Sequence, residues 1–450
     1  MSLLESLIQE AEAYQSDPLA LCGLVERVCD KYTDPEYVQK IETEEAVTWR
    51  TLEQVPATYK SQITVVTPHD PIFGKNLVFV PYKNNQRVHF IGDIHGGFED
   101  LCEILRSSVP EEADSFGDNL YIFLGDYVDR GDQSIETLAL LMLLLERYPN
   151  NFICLQGNHE GHGVKSTPGD KSFYSELKRK LHDLSADKEE ACPKAAVEID
   201  EDTEDIFTGI PDISPDLSVM SSLTSLPSAA VVFINQEGTK AVIAVHGGVP
   251  PHEDILGILN KHFTILWGDP ITHIYHRTDL VHAILKDGAD CKEEAVVKDI
   301  REGFQKIFPE RDIREVLQPF VSDCSPGQID ASMWQVLTAL EGKQNFLRGN
   351  DTKNCFWGIE AVRAAQARGY TRIIRAHGHF CGGPDVFPAA EGCRCPCDVV
   401  SICSEHQVIR GRIQIPYFMT LIQQATGVPE YSFHEIRRHE EAELRIHPHP

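Results

Sequence analysis

Five short apolar segments of this 450-residue chain each end in a metal-binding residue type beside glycine or another small residue. The central one, Tyr121–Gly131, reads YIFLGDYVDRG, in which four apolar residues stop at Gly125 and are followed by Asp126 and Asp129. An apolar run of strand length that ends at glycine is typical of a buried strand leading into a tight turn. Side chains at the carboxyl ends of such strands leave the sheet together and meet whatever binds there. The pattern therefore predicts strand ends that converge on metal.

The other four segments repeat this arrangement at intervals along the chain. They are Val88–Ile91 before Gly92–Gly96, Phe152–Leu155 before Gln156–Glu160, Ala241–Val245 before His246–Gly248, and Arg372–Ile374 before Arg375–His377. Apolar residues at helical spacing follow the first three strands, at 97–108, 134–147 and 171–184. Strands that alternate with helices predict an α/β sheet with helices on its faces.

Composition restricts the classes of partner. The formal net charge is −28 and the isoelectric point is near 5.0, so nucleic acid, which requires a basic surface, is not expected as the main target. No run approaches the ~18 apolar residues of a membrane span, and the N-terminus lacks the basic region of a signal peptide. The 13 cysteines are irregularly spaced, which suits a reducing compartment, and Cys393, Cys395 and Cys397 are interpreted as loop thiols. We expect a soluble, cytoplasmic protein.

The sequence predicts three parts. Residues 1–60 form a helical segment that packs against the core, residues 61–430 form the main domain, and residues 431–450 form a polar tail that frays. Two insertions interrupt the main domain. Residues 185–218 are acidic and rich in helix-breaking residues, which favours a solvated loop, and residues 271–343 carry helical patterns that indicate an inserted helical cap.

Six candidate metal ligands lie at the predicted strand ends: Asp93, His95, Asp126, Asn158, His246 and His377. Nitrogen and oxygen ligands without thiolate suit Mn, Fe or Zn. Six ligands exceed what one metal with open positions needs, and they suit two metals that share a bridging carboxylate, for which Asp126 is the central choice. Two ions roughly 3.5–4 Å apart can clamp both the attacking and the leaving oxygen of a phosphoryl displacement and make hydroxide available near neutral pH.

Four further residues have side chains suited to the same reaction. Arg130 and Arg348 can hold phosphate oxygens through bidentate hydrogen bonds. His159 follows Asn158 directly and can protonate the departing oxygen, and Asp129 can orient and charge that imidazole.

Other polar residues near the motifs have structural interpretations. Glu160 follows the turn that contains Asn158, and we expect it to orient the ligands and not to react. His89, His262 and His273 are each isolated, and we expect them to be structural histidines with hydrogen-bonded rings.

Together these motifs resemble those of the phosphoprotein phosphatase family, the serine/threonine phosphatase branch of the calcineurin-like metallophosphoesterases. The motifs are Asp93–Gly96, Gly125–Gly131, Gly157–Glu160, His246–Gly248 and Arg375–His377, with weaker similarity at Phe173–Arg179, Leu226–Val232 and Leu266–Pro270. The resemblance covers about 60–184, 219–270 and 344–410. It implies a central β-sandwich flanked by helices, which the periodicity alone does not distinguish from a single doubly wound sheet.

The resemblance also implies a role for each candidate residue. Asp93, His95 and Asp126 would hold the first metal, and the second would be held by Asp126, Asn158, His246 and His377. Arg130, Arg348 and the backbone near Asn158 would seat the phosphate, and His159 paired with Asp129 would act as the general acid. The cofactors would be two divalent or trivalent metal ions, with Mn²⁺ expected in vitro and Fe or Zn as alternatives.

The sequence departs from the family pattern at several places. Gln156 stands where the family usually has arginine, and residues 400–407 contain no tyrosine where a tyrosine usually lines the site. The cap at 271–343 has no counterpart in the simple catalytic subunits. These differences identify a divergent member and leave its serine/threonine specificity open.

Three functions are compatible with these features. The first is a protein phosphatase that hydrolyses phosphoserine and phosphothreonine by direct attack of a metal-bound hydroxide, with phosphoproteins as substrates and the cap as the candidate surface for a regulatory protein. The second uses the same chemistry on phosphotyrosine or on a dinucleoside polyphosphate. The third is a catalytically inactive scaffold that binds partners through the cap, which the complete ligand set argues against.

Overall fold

A computed structural model describes most of the regions that carry the motifs. The described residues are 2–33, 72–74, 77–109, 114–160, 172–186, 215–249, 269–270, 301–302, 312, 356–357, 365–367, 369–378, 385–387, 398–404, 408–409, 412–413, 416–424 and 428–436. Outside them lie Arg348, His262, His273, the cysteine cluster at 393–397, most of the acidic loop and nearly all of the cap.

Sixteen strands occur within the described residues. They are β1 (Ile72–Gly74), β2 (Leu77–Val80), β3 (Arg87–Ile91), β4 (Asn119–Phe123), β5 (Phe152–Cys154), β6 (Ala229–Phe233), β7 (Ala241–Val245), β8 (Asp269–Pro270), β9 (Phe356–Trp357), β10 (Tyr370–Arg375), β11 (Asp385–Phe387), β12 (Asp398–Ser401), β13 (Val408–Ile409), β14 (Arg412–Ile413), β15 (Tyr417–Ile422) and β16 (Glu430–Glu435). One sheet has the order β1-β2-β6-β7-β10-β12-β11 and a second has the order β16-β15-β3-β4-β5, while β8–β9 and β13–β14 form two separate pairs.

The two large sheets pack face to face. Alternate residues of the strands enter one shared apolar cluster, to which β4 contributes Leu120 and Ile122 and β7 contributes Val242 and Ala244. Because successive strand residues point to opposite faces, Tyr121 and Phe123 lie on the other side of β4, in the cluster formed with the helices. This arrangement confirms the β-sandwich flanked by helices that the family resemblance implies.

Helices cover the outer face of the five-stranded sheet. They are α1 (Leu3–Ala13), α2 (Pro18–Asp30), α3 (Phe98–Ser108), α4 (Ser134–Arg147), α5 (Phe173–Ala186) and α6 (Pro215–Leu223), with a short 3₁₀ turn at Tyr14–Ser16. All residues of α4 from Ser134 to Leu145 are buried, because α1 and α2 pack over it and contribute Leu7, Leu24 and Val25 to the same cluster. The N-terminal helices are thus part of the main core. None of the helices in the described residues is long and apolar enough to cross a membrane.

Parallel pairing brings the motif-bearing strand ends to one edge of each sheet. Strands β3, β4 and β5 are parallel neighbours, and β7 is parallel to β10. The turns that follow them are joined by backbone hydrogen bonds, from Leu124 N–H to the Ile91 carbonyl at 2.8 Å and from Ala376 N–H to the His246 carbonyl at 2.9 Å. The side chains that follow these strands therefore start from adjacent positions.

The C-terminal region differs from the sequence-based expectation at one boundary. The polar composition predicts a tail that starts at residue 431, whereas residues 430–435 form β16, which pairs with β15 along its whole length. Strand β16 is the edge strand of its sheet, and most of its side chains are at least partly exposed, so polar residues are compatible with it. Residues 437–450 lie outside the described part of the chain.

Candidate active site

The six predicted metal ligands lie together where the two sheets meet. Asp93, His95, Asp126, Asn158 and His246 are at most 1% exposed. Within the described residues, two sets of side chains place one potential ligand atom each within 4.8 Å of one another: His95, Asp126 and His159, and Asp126, His246 and His377. Asp126 belongs to both sets, so its carboxylate is common to them.

Left-handed backbone conformations are concentrated at this site. Within the described residues, six non-glycine residues have positive φ, and five of them carry candidate functional side chains: His95 (45°), Asp126 (60°), Asp129 (69°), Arg130 (66°) and His377 (63°). Such conformations cost about 1–3 kcal/mol each and persist only where the surrounding structure enforces them. The contacts below show what enforces them here.

The turn after β3 is fastened to the turn after β4 by backbone hydrogen bonds. The carbonyl of Asp126 accepts the N–H groups of Ile94 and His95 at 3.0 and 2.9 Å, and the carbonyl of Tyr127 accepts that of Gly96 at 2.8 Å. Gly131 lies so close to this junction that a Cβ atom would come within 2.1 Å of the His95 carbonyl oxygen. Only glycine fits there, which explains its place at the end of the central motif.

Glu160 joins the turn after β4 to the turn after β5. Its buried carboxylate accepts the backbone N–H groups of Asp126 and Tyr127, both at 2.8 Å, and that of Gly157 at 2.9 Å. Gln156, which stands where the family usually has arginine, donates from its side chain to the Glu160 carbonyl at 3.3 Å. Glu160 thus makes the orienting contacts that its place after the Asn158 turn predicts.

Backbone carbonyls set the orientation of two imidazoles. Nδ1 of His95 lies 2.8 Å from the Val128 carbonyl, and Nδ1 of His246 lies 3.0 Å from the Leu124 carbonyl. Because a carbonyl can only accept, each Nδ1 carries a proton, and the neutral form of each ring therefore presents the lone pair of Nε2. These Nε2 atoms face Asp126 Oδ2, at 3.5 Å from His95 and 3.2 Å from His246.

The donor set fits a cation. Nε2 of His246 is 2.9 Å from Asn158 Oδ1 as well as 3.2 Å from Asp126 Oδ2, so three lone-pair donors converge in a buried space. Asp93 adds a buried carboxylate nearby, whose Oδ1 accepts the His377 N–H at 2.9 Å and lies 3.8 Å from His246 Nδ1. Buried carboxylates and imidazoles of this kind are ligands for Mn, Fe or Zn.

The pKa values of Asp126 and Asp93 are shifted in opposite directions from their ordinary value. Burial opposes ionisation of Asp126, but the His246 and His159 imidazoles outweigh it and hold the pKa of this carboxyl well below its usual range. Burial dominates at Asp93 and raises its pKa to about 6. A bound cation would favour the charged form of both carboxylates.

His159 is held by an aspartate and an arginine. Its Nδ1 lies 2.7 Å from Asp129 Oδ2, its backbone N–H donates to Asp126 Oδ1 at 2.9 Å, and its Nε2 lies 3.2 Å from Arg130 Nη2. Burial alone would lower the pKa of this imidazole, but the Asp126 and Asp129 carboxylates raise it above its ordinary value. The two carboxylates thus favour the imidazolium, whereas the guanidinium of Arg130, which can only donate a hydrogen bond, opposes a proton on Nε2.

Two supporting contacts were not predicted from the sequence. Arg375 is fully buried, and its guanidinium donates to the Gly247 carbonyl and, at 3.3 Å, to Ser401 Oγ, so it fixes the turn that carries His246. Ser404 accepts the Gly92 N–H at 2.9 Å and donates to the Tyr417 carbonyl at 2.7 Å, next to Asp93. Arg375 lies inside a motif and could have been singled out for its burial, whereas a lone serine gives no such signal.

Of the predicted site residues, all but Arg348, which lies outside the described residues, are brought together here. Asp93, His95, Asp126, Asn158, His246, His377, His159, Asp129 and Arg130 are linked by the contacts above. The predicted structural role of His89 agrees with its place away from this group: its ring nitrogens lie 2.9 Å from Thr420 Oγ1 and 3.4 Å from Asn119 Oδ1.

Part of this chain is similar in sequence to known phosphoesterases. A family model described as calcineurin-like phosphoesterase matches residues 86–320, which include the turns after β3, β4, β5 and β7. A Schizosaccharomyces pombe protein named as a serine/threonine-protein phosphatase is 51% identical over 90 residues, which are 20% of this chain. The match spans about a quarter of that relative, 27% of its length.

Two solved structures are similar over longer stretches. A serine/threonine phosphatase from Saccharomyces cerevisiae is 14% identical, with a TM-score of 0.44, over 96% of this chain and 98% of that one. A cold-active protein-tyrosine phosphatase from a Shewanella species is 13% identical, with a TM-score of 0.34, over 79% and 82% of the two chains.

Proposed function

This chain belongs to the calcineurin-like phosphoesterase family, whose model matches more than half of it, and we propose that it is a metal-dependent phosphatase acting on phosphoserine and phosphothreonine in proteins. The observation that carries the proposal is the convergence of candidate ligands on Asp126, whose Oδ2 lies 3.5 Å from Nε2 of His95 and 3.2 Å from Nε2 of His246. A phosphate monoester bound beside these ligands would also meet His159 and Arg130, which are 3.2 Å apart.

Two metal ions are proposed as cofactors. Asp93, His95 and Asp126 would hold one, and Asp126, Asn158, His246 and His377 would hold the other. When bound, such ions act as Lewis acids on phosphate oxygens and lower the pKa of water so that hydroxide is available near neutral pH. Mn²⁺ is the proposed ion for assays in vitro, with Fe and Zn as alternatives that use the same ligands.

The residues of the chain supply the proton and orient the substrate. Arg130 would bind phosphate oxygens through its guanidinium, next to the imidazole of His159. Nε2 of His159 would give its proton to the oxygen of the serine or threonine as the bond from phosphorus to that oxygen breaks. Asp129 holds Nδ1 of the same ring at 2.7 Å and so stabilises the imidazolium before transfer. Arg348 is proposed as a second phosphate ligand on the sequence pattern alone.

The substrate class is supported by the motifs and by the name of the fission-yeast relative, which shares 51% identity over its matched part. Phosphotyrosine and dinucleoside polyphosphates remain alternative substrates for the same chemistry. An inactive scaffold is the alternative of another class, and the retained ligand set argues against it. A regulatory protein that binds the cap at 271–343, and a cytoplasmic location, stay predictions from the sequence.

A substrate panel tests the proposal. The protein is stripped of metal, loaded with Mn²⁺ and given phosphoserine, phosphothreonine and phosphotyrosine peptides and a diadenosine polyphosphate, with Asp126→Asn and His159→Ala as controls. We expect turnover of the phosphoserine and phosphothreonine peptides, its loss in both variants, and its loss on chelation. Turnover of phosphotyrosine or the dinucleotide alone would reassign the substrate. Activity that survives Asp126→Asn would contradict the metal site, and metal binding without any turnover would favour the scaffold.

A further inference from the structure

Helix α5 contacts the candidate acid–base pair with its first turn. The backbone N–H of Phe173, the first residue of α5, donates to Asp129 Oδ1 at 2.7 Å, while Asp129 Oδ2 binds Nδ1 of His159 at the same distance. Both oxygens of the Asp129 carboxylate are therefore engaged, one by the imidazole and one by the helix. A carboxylate at a helix N-terminus is also stabilised by the partial positive charge there.

The start of α5 is built so that this N–H is available. Ser172 precedes the helix, and its Oγ accepts the N–H of Ser175 at 3.0 Å, while its carbonyl accepts that of Glu176 at 2.9 Å. This is the usual contact of an N-cap serine with the third residue of a helix, and it leaves the N–H of the first residue pointing out of the helix. In this chain that N–H is directed at Asp129.

The same turn holds the other end of the segment that follows Asp129. Helix α4 begins at Ser134, and its N-cap residue, Gln133, makes no side-chain capping hydrogen bond. Instead the carboxylate of Glu176, from α5, accepts the N–H of Ser134 at 3.2 Å and that of Ile135 at 3.4 Å. Glu176 is 5% exposed, so solvent competes little for these contacts.

Residues 129–135 are thus fixed at both ends by one helical turn, and the segment requires such support. Asp129 and Arg130 are consecutive non-glycine residues with φ of 69° and 66°. Each costs about 1–3 kcal/mol in that conformation, and a free segment would relax out of it. Relaxation would move the Asp129 carboxylate away from His159 and would move the Arg130 guanidinium with it.

We propose that the first turn of α5, through the Phe173 N–H and the Glu176 carboxylate, is a positioning element that holds Asp129 and Arg130 against His159. Phe173 and Glu176 act through other residues and touch no reacting atom. The inference rests on the proposed function in one respect, because the positioning element affects catalysis only if His159 delivers a proton to a poor leaving group.

Phe173→Pro tests the hydrogen bond to Asp129 directly. Proline is tolerated at the first helical position and removes only the N–H of the backbone. Because the change also removes a buried side chain, the matched control is Phe173→Ala, which keeps the N–H. Comparison of the two variants isolates the contact.

Two substrates with different leaving groups separate positioning from general damage. The leaving group of a phosphoserine peptide is the serine alkoxide, which is strongly basic and needs a proton from His159. The leaving group of dinitrophenyl phosphate is a stable phenolate, which needs no proton. We expect Phe173→Pro to lower kcat/KM for the peptide about 10-fold relative to Phe173→Ala and to change that for dinitrophenyl phosphate less than about 2-fold. Equal values for the two variants, or equal losses on both substrates, would overturn the proposal.

A second measurement is independent of turnover. Glu176→Ala removes the acceptor for Ser134 and Ile135, and we expect amide hydrogen exchange across residues 129–135 to become about 10-fold faster, with β3 and β4 unchanged. Glu146→Ala, at the exposed end of α4, is the matched control. Unchanged exchange in the Glu176 variant would overturn the proposal. If the metal-loaded wild-type protein hydrolyses neither substrate, the proposed function fails while this exchange result still decides whether the turn holds the segment.

Discussion

The carboxylate of Glu160 accepts the backbone N–H of Asp126 at 2.8 Å, so an acidic residue of one turn holds the central candidate metal ligand of another. The same carboxylate accepts two more N–H groups, from Tyr127 and Gly157. A single side chain therefore joins the turns that carry Asp126 and Asn158 through three hydrogen bonds.

Glu160→Gln should weaken metal binding. The amide keeps one acceptor oxygen but places an NH₂ group against a backbone N–H, so the two turns separate. Loss of such an orienting contact typically lowers metal affinity about 10–100-fold, and we expect an effect of this size for Mn²⁺. Calorimetric titration of the metal-free protein measures it. Glu103→Gln, which breaks an ion pair on the surface of α3, is the control and should leave the affinity unchanged. An unaltered affinity in Glu160→Gln would show that the turns are held by their other contacts.

Gly157→Ala should abolish activity, whereas Gly117→Ala should not. A Cβ atom at 157 would come within 2.3 Å of both the backbone nitrogen and Oδ1 of Asp126, so the ligand turn must move. Gly117 has φ of +55° with nothing within 4 Å of its Cβ position, and its replacement costs only about 1–2 kcal/mol of backbone strain. Phosphatase assays and thermal unfolding of both variants distinguish the effects. Full activity of Gly157→Ala would mean that the turn after β5 tolerates displacement.

Acid should destabilise the protein in part through His89. Burial lowers the pKa of this imidazole from 6.5 to about 4, and its ring stacks on Tyr121 at a centroid distance of 4.7 Å. Below pH 6.5 the imidazole is protonated in the unfolded chain, but in the folded protein it is protonated only below about pH 4. The free energy of unfolding therefore decreases as the pH is lowered from 6.5 to about 4. At pH 5 the penalty is about 2 kcal/mol.

His89→Gln removes the imidazole that binds this proton in the unfolded chain. We expect the free energy of unfolding in urea to fall less between pH 7 and pH 5 in the variant than in the wild type, by about 2 kcal/mol. His434→Gln, on the exposed edge strand β16, should reduce the fall by much less. Parallel pH dependence of wild type and His89→Gln would show that the imidazole is protonated in the folded state without penalty.

Leu24→Ala should destabilise the whole protein, although it lies in the N-terminal segment. Leu24 is fully buried on α2 within the cluster that includes α4, and a cavity of this kind costs about 2–5 kcal/mol. Leu19→Ala on the same helix is the control, because Leu19 is 51% exposed and should change stability by less than about 0.5 kcal/mol. Chemical unfolding monitored by the activity and by tryptophan fluorescence measures both. If Leu24→Ala unfolds the N-terminal helices but leaves the activity unchanged, the N-terminal segment is not needed for the stability of the main domain.

The sequence predicts the ligand-bearing strand ends well because the signal is local. The apolar runs before Gly92, Gly125 and Gln156 each stop where a strand stops, to within a residue or two. The sandwich is different, since β3, β4 and β5 are parallel and would look the same in a doubly wound sheet. The antiparallel partner of β3 is β15, far along the chain, and no local periodicity reveals that pairing.

Contacts made by the backbone also escape sequence reasoning. Phe173 contributes an N–H and not its side chain to Asp129, so its residue type carries no signal for the role. The sequence does not predict strand β16 for a related reason: its hydrogen bonds to β15 come from the main chain, while its polar side chains are typical of a tail. Side-chain chemistry could be inferred from the sequence, but the support of that chemistry depends on the three-dimensional arrangement.

The pairing of Gly92 with Ser404 spans 312 residues, and Asp93 next to it contacts His377 across 284. A ribosome adds about 5–20 residues per second, so the first candidate ligand emerges roughly 15–60 seconds before the serine that secures its turn. During that interval β3 lacks its β15 neighbour, and its edge is open to other chains. Synthesis from the N-terminus thus leaves the strand before the candidate metal ligands open to mispairing, and we expect the yield of active protein to depend on chaperones more than on the final stability.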